Sequence, residues 1–289
     1  MIFDIRLRPP ELMFKYPEKF FGKMMTGYDA KHSKGYEAVF GGKIAENVLP
    51  YRTQPEKWLS ALDDAGVTKA LIISNWSPGV NEVVADYIKK YPGRFIGGIS
   101  VDCKGGMAAV RELELAAKEL GLKCLSLRPF RDEMYANDKR FYPIYAKCVE
   151  LGITVSSVVG MNFSEQPVLD YARPIYLDEV AATFPGLKII ATHVGWPWAT
   201  EMVAAAWKNR NVYIDISGVA PRFFNRPGTG YEPILNFGNS VLQDRIIWGT
   251  DWPMMDWKES LSQVDQLPLK ESVKKKWLWD NAIAALALE

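Results

Sequence analysis

Apolar residues fall along this chain in two alternating patterns. Short runs rich in β-branched side chains occupy residues 2–7, 69–74, 94–101, 122–127, 153–158, 187–192, 212–216 and 245–249. Each is too short for a helix and is bounded by glycine, proline or polar residues, so each reads as a strand. Between them lie stretches whose apolar positions recur three and four apart. These predict helices over 55–65, 81–91, 106–120, 140–151, 175–184, 198–209, 232–242 and 269–288. Several close on stop signals, as at Tyr91-Pro92-Gly93, Leu120-Gly121, Leu151-Gly152 and Phe184-Pro185-Gly186.

Strict alternation of strand and helix implies parallel pairing. Eight such units imply an α/β protein with a closed (β/α)8 TIM barrel, whose active site would lie at the C-terminal ends of the strands. A doubly wound open sheet is the rival. The number of units argues against it, as does the lack of a glycine-rich phosphate fingerprint after the first strand.

One long insertion after the first strand, residues 9–53, breaks the rhythm. Loops of that length are usually functional or locally structured. It carries Phe14, Tyr16, Phe20, Phe21, Tyr28, Tyr36 and Phe40. It is expected either to cover the mouth of the barrel as a lid or to pack against another subunit, which makes a homodimer possible. The whole chain, 1–289, is expected to be a single domain.

The charge balance narrows the function. Net charge is +1 and no long run carries one sign, which argues against nucleic acid and against membrane surfaces as partners. No uncharged apolar run reaches the ~18 residues of a membrane span. The chain opens directly on a strand pattern with no signal peptide, so a cytoplasmic protein is expected. Cys103, Cys124 and Cys148 are odd in number and lack close pairing, and buried thiols are expected.

The candidate chemistry sits at the predicted strand ends. Alternation along a strand puts Asp4, Arg6 and Arg8 on one face. Arginines there stay charged, so they must either pair with carboxylates such as Asp4, Asp215 or Asp251, or hold an anionic substrate. Arg128 ends the fourth strand and would reach the same mouth. Asn75, Trp76 and Ser77 follow the second strand and could line it. Ser156 and Ser217 read as small polar fillers, and no Gly-x-Ser-x-Gly nucleophile motif is present. The chain has two histidines. His32 lies in the insertion and reads as a surface or lid residue. His193 ends the sixth strand, and Asp251 follows the eighth between Gly249 and Pro253. Both are candidate catalytic residues.

Several segments together carry a family resemblance: Ile2-Phe3-Asp4-Ile5-Arg6-Leu7-Arg8, Asp63-Asp64-Ala65-Gly66-Val67, Pro92-Gly93-Arg94-Phe95, Phe184-Pro185-Gly186-Leu187, His193-Val194-Gly195, Gly249-Thr250-Asp251-Trp252-Pro253 and Asp280-Asn281-Ala282. In this order they resemble the amidohydrolase superfamily, in the branch of aminocarboxymuconate-semialdehyde decarboxylase, resorcylate-type decarboxylases and pyrone-dicarboxylate lactonase. The resemblance implies a metal site with a His-x-His pair on the first strand. Those positions are Arg6 and Arg8 here, and a further family histidine falls at Val158, while His193 and Asp251 match. No cofactor is therefore expected, and a divalent metal at His193 and Asp251 is the less favoured case. The main expectation is a metal-independent hydrolase of a small carboxylated lactone or ester. In it Asp251 is the general base, His193 steadies the oxyanion, and Arg6, Arg8 and Arg128 bind the anion, with Asn75 and Trp252 as further substrate contacts. The alternatives are a metal-dependent decarboxylase or hydrolase with an atypical site, and a catalytically inactive anion-binding barrel.

Overall fold

A computed structural model describes residues 1–20, 41, 47–54, 57–161 and 168–288. Every predicted strand forms: β1 (Ile2–Leu7), β2 (Val67–Ile72), β3 (Phe95–Ile99), β4 (Cys124–Leu127), β5 (Thr154–Val158), β6 (Ile189–Thr192), β7 (Val212–Asp215) and β8 (Ile246–Ile247). They pair in parallel in sequence order within one eight-stranded sheet. The sheet rolls up because the chain around β8 returns to β1. Ile5 N donates to Trp248 O at 3.4 Å, Arg8 N donates to Trp252 O at 3.2 Å, and Leu7 bridges Trp252 in parallel. The result is a (β/α)8 barrel.

The helices wrap it: α1 (Lys57–Asp64), α2 (Val80–Lys90), α3 (Met107–Lys118), α4 (Tyr142–Leu151), α5 (Tyr176–Thr183), α6 (Ala199–Lys208), α7 (Glu232–Gly238) and α8 (Trp257–Asp265). The last of these was not predicted. Its apolar content is thin, but Asp256 caps it by accepting from Glu259 N at 2.9 Å, and an Asp followed three residues on by Glu is a readable start signal. The predicted helix over 269–288 is broken into α9 (Glu271–Lys275), a π-helical turn (Lys276–Asp280) and α10 (Asn281–Ala285).

Alternation along the strands sorts side chains into two cores. Leu7, Ile72, Leu125, Ile189 and Ile214 face the helices in the main cluster. Ile5, Leu71, Ile73, Cys124, Ile190 and Ile247 fill the barrel interior, where Ala282, Ala285 and Leu286 join them. Thr154 Oγ1 donates to Ala285 O at 2.7 Å, so α10 plugs the N-terminal end of the barrel. Each such buried aliphatic side chain contributes about 1.5–3 kcal/mol. The opposite, C-terminal end carries the charged side chains Arg6, Arg8 and Asp251.

β1 departs from simple alternation. Asp4 pairs with Ala70 while Leu7 pairs with Ile72, so three steps on β1 match two on β2. The extra residue flips the faces after Asp4. Asp4 therefore lies with Ala70 and Leu7 on the helix side, whereas Arg6 and Arg8 point into the barrel. The shared face expected for all three residues is corrected by this bulge.

Within the insertion, Phe14, Tyr16 and Phe20 pack against the main core. Phe21, Tyr28, His32, Tyr36 and Phe40, and with them most of the expected lid, lie outside the described residues. Cys103, Cys124 and Cys148 are free and buried. Among the described residues no helix is long and apolar enough to cross a membrane.

Candidate active site

The barrel mouth is built around one carboxylate oxygen. Arg6 Nε and Arg8 Nη1 both donate to Asp251 Oδ1, each at 2.8 Å. All three side chains are nearly inaccessible to solvent. Burial alone would push the Asp251 carboxyl up. The charges of Arg8 and Arg6 outweigh it, with His193 assisting, and bring it down to about 2. Asp251 is thus ionised throughout the working pH range. Among the described residues Arg6 Nη1 is buried without a hydrogen-bond partner, so one donor of this cluster is unspent there.

Asp4 stands behind this cluster and fixes both of its halves. Its Oδ1 accepts from Arg6 N at 3.1 Å and Thr250 N at 3.0 Å, while Oδ2 accepts from Thr250 Oγ1 at 2.5 Å and Trp257 Nε1 at 3.0 Å. Burial raises its carboxyl to about 6 despite these donors. Asp4 holds the β1 backbone at Arg6 against the loop that presents Asp251.

His193 follows β6 in a left-handed conformation, φ +60°, as does Val194 at +65°; Asp251 sits at +51°. Non-glycine residues are held this way only when their surroundings over-determine them, and such positions concentrate at functional sites. His193 Nδ1 lies 2.9 Å from the carbonyl oxygen of Ser217. A carbonyl only accepts, so Nδ1 carries the hydrogen and Nε2 keeps a lone pair. Burial lowers the imidazole to about 4, and Arg6 and Arg8 add to this against the pull of Asp251. His193 is therefore neutral near pH 7. Asp215 ends β7 inside the barrel, where burial raises its carboxyl to about 7.

A second pair of arginines occupies the other side of the mouth. Arg128 Nη1 donates to Ser74 O at 3.0 Å and also to Asn75 Oδ1, and Arg131 Nη1 donates to the same Asn75 oxygen at 3.1 Å. Asn75 is itself buried, and its backbone N donates to Lys19 O at 2.6 Å. Burial lowers Arg128 well below its ordinary value, and Arg131, Arg6 and Arg8 lower it further. Arg131 is lowered by its surroundings and by Arg8 and Arg6, although it keeps solvent contact. Arg128 and Arg131 thus both feel the positive charges of Arg6 and Arg8.

The structure brings together Arg6, Arg8, His193 and Asp251, and sets Arg128 and Asn75 opposite them. Sequence reasoning missed Arg131. Its signal was there: Pro129 starts a short helix (Pro129–Asp132), and residues three apart on a helical turn share a side, here Arg128 and Arg131. Trp252 is a correction. Its ring is buried, stacked on Trp257 with centroids 5.3 Å apart and planes 5° apart, and packed against Trp58 and Tyr51. It belongs to an aromatic layer with Trp257, Trp58 and Tyr51. Trp76 sits at the rim, its Nε1 donating to Glu112.

A family model for amidohydrolases matches residues 35–288. The chain belongs to the amidohydrolase family. A curated relative, the gamma-resorcylate decarboxylase of Polaromonas sp. (strain JS666), is 24% identical over 247 residues, covering 70% of this chain and 73% of that protein. An uncharacterised TIM-barrel protein from Bordetella bronchiseptica superposes with a TM-score of 0.79 at 26% identity, covering 99% of this chain and 98% of the other. A dihydroxybenzoic acid decarboxylase from Polaromonas sp. JS666, solved with manganese and 2-nitroresorcinol, superposes at 0.68 with 17% identity, covering 99% and 96%.

These comparisons overturn one expectation. The sequence reading gives no cofactor, yet a decarboxylase of this fold holds manganese. A metal has to be reckoned with in this amidohydrolase, and the expectation of none is not kept. The described side chains nevertheless do not make a cation site by themselves. Among the described residues no three His, Cys, Asp or Glu converge. Asp251 Oδ1 is already engaged by two guanidiniums, whose charges would oppose a divalent ion. The donor set does not fit, and no step below passes through a metal.

Proposed function

We propose that this amidohydrolase is a lyase that removes CO2 from a small aromatic carboxylate held by the arginines of the barrel mouth. The observation that carries this reading is the convergence of Arg128 and Arg131 on the neutral amide oxygen of Asn75. A half-buried and an exposed guanidinium sharing one neutral acceptor leave positive charge that an anionic ligand would balance. The decarboxylase relatives support the reaction class.

Loss of CO2 leaves the electron pair of the broken C–C bond on a ring carbon, which must gain a proton. Neutral His193, with its lone pair on Nε2, suits a proton carrier. It takes the proton of a ring hydroxyl and returns it to the carboxylate-bearing carbon. The C–C bond then breaks, CO2 leaves, and the pair restores the aromatic ring as a phenolate, which is protonated by solvent. Arg6 and Arg8 stabilise the negative charge on the ring oxygen, and Asp251 holds them in place. The hydrolytic reading is weaker. A carboxylate near pKa 2 with two arginines on one oxygen is a poor base for water.

The test is a panel of hydroxylated benzoates, assayed for CO2 release with and without added manganese, beside a panel of lactones and esters. CO2 release that falls in an Arg131→Ala variant is expected. Hydrolysis of lactones with no CO2 from any benzoate would overturn the proposal.

A further inference from the structure

We infer that Asp215 is a positioning residue for His193, acting through Ser217. Resting on the proposed lyase chemistry, this names the group that keeps the His193 lone pair at the mouth. Both donors of Ser217 are spent on Asp215. Ser217 N donates to Asp215 Oδ1 at 2.6 Å, and Ser217 Oγ donates to Asp215 Oδ2 at 2.9 Å. The carbonyl of the same Ser217 receives His193 Nδ1–H at 2.9 Å. The neighbouring peptide is fixed too, because Ile216 N donates to Ile247 O at 3.0 Å.

The chain past Ser217 is shaped around the imidazole. Gly218 has φ +75°, and a Cβ there would lie 3.0 Å from His193 Nδ1. Asp215 and Ser217 are both buried. A carboxyl group whose two oxygens both bond to Ser217 sets the direction of that residue's carbonyl. The carbonyl in turn decides which imidazole nitrogen bears hydrogen. Without it, the ring would divide between its two tautomers, and only one of them leaves Nε2 able to accept a proton.

The experiment is long-range ¹H–¹⁵N correlation on protein labelled at its two histidines, with a His32→Gln variant to assign the signals. Wild-type His193 is expected as a single Nδ1–H form. Asp215→Ala is expected to give a mixture of tautomers and to lower kcat by roughly ten- to a hundredfold, with KM little changed. Asp215→Asn, whose amide can still accept from Ser217 N and can donate to Ser217 Oγ, is expected to restore the Nδ1–H form and most of kcat. A single Nδ1–H form in Asp215→Ala, or equal kcat loss in the Ala and Asn variants, overturns the inference. If Asp215→Ala does not fold, Ser217→Ala carries the test: a smaller shift towards the mixture supports it, and an unchanged tautomer overturns it. The spectrum needs no substrate, so failure of the lyase reading would show separately, as absent CO2 release.

Discussion

Asp4 and Thr250 are joined twice: Oδ1 accepts Thr250 N at 3.0 Å and Oδ2 accepts Thr250 Oγ1 at 2.5 Å. This pair ties the first strand to the segment after the last one, next to Asp251. Together with Arg6 N and Trp257 Nε1, Asp4 accepts four hydrogen bonds in a buried place. Asp4→Ala strands those donors and is expected to cost at least about 3 kcal/mol of stability. Asp4→Asn keeps part of the acceptor capacity and should cost less. Denaturant unfolding of both variants checks the order.

Asp215 makes stability depend on pH with a definite sign. Its folded carboxyl is raised from 3.8 to about 7. Between those values the folded state holds a proton that the unfolded state has lost, so this group's contribution falls as pH rises and is constant above the window. Wild type is expected to lose stability relative to Asp215→Asn from about pH 4 to about pH 7. Thermal melts of the two proteins across pH 4–8 read the difference, and a gap that widens in favour of wild type would refute the assignment.

Arg131 shares the Asn75 oxygen with Arg128 and keeps solvent contact. Arg131→Ala removes an anion donor without leaving a buried charge alone. Binding of a hydroxybenzoate is expected to weaken roughly tenfold, as befits a charge-assisted hydrogen bond, while the unfolding midpoint hardly moves. Calorimetric titration measures the first and a thermal melt the second.

Gly218 has both φ +75° and a Cβ position 3.0 Å from His193 Nδ1. Gly218→Ala should therefore destabilise by about 1–2 kcal/mol from backbone strain and also displace the imidazole. Activity is expected to fall more than stability accounts for at assay temperature. Full activity in a destabilised Gly218→Ala would break the link between this turn and His193.

Trp252 stacks on Trp257 and packs against Trp58 inside the helix layer. Trp252→Ala is expected to cost about 3–5 kcal/mol by cavity formation. Chemical unfolding reports this directly.

The barrel was legible because a strand buried on both faces must be apolar along its length, and the helices around it must keep one apolar stripe. Arg6, Arg8, His193 and Asp251 stood out because charged or imidazole side chains at strand ends have no packing use. Helix α8 escaped because its stripe is only Trp257, Leu261 and Val264, and its cap signal at Asp256 went unused. Asp4 was placed on the wrong face because counting by two assumes an unbroken register, and one extra residue on β1 reverses it. Trp252 was read as a substrate contact within the Gly249–Pro253 segment that also carries Asp251. Asp251 sits in a left-handed turn at φ +51°, and past that turn the Trp252 ring packs into the core.

The sequence by itself determined the eight strands, seven of the eight helices that wrap them and the identity of the charged groups at the strand ends. These follow from local periodicity and from the energy of burying charge. Only the tertiary structure decided the partners. That Asp251 faces two arginines, that Arg131 joins Arg128 on Asn75, and that Asp215 reaches His193 through Ser217 depend on strand register and on contacts between residues far apart in the chain. Those distances are fixed when the barrel closes, and no local pattern encodes them.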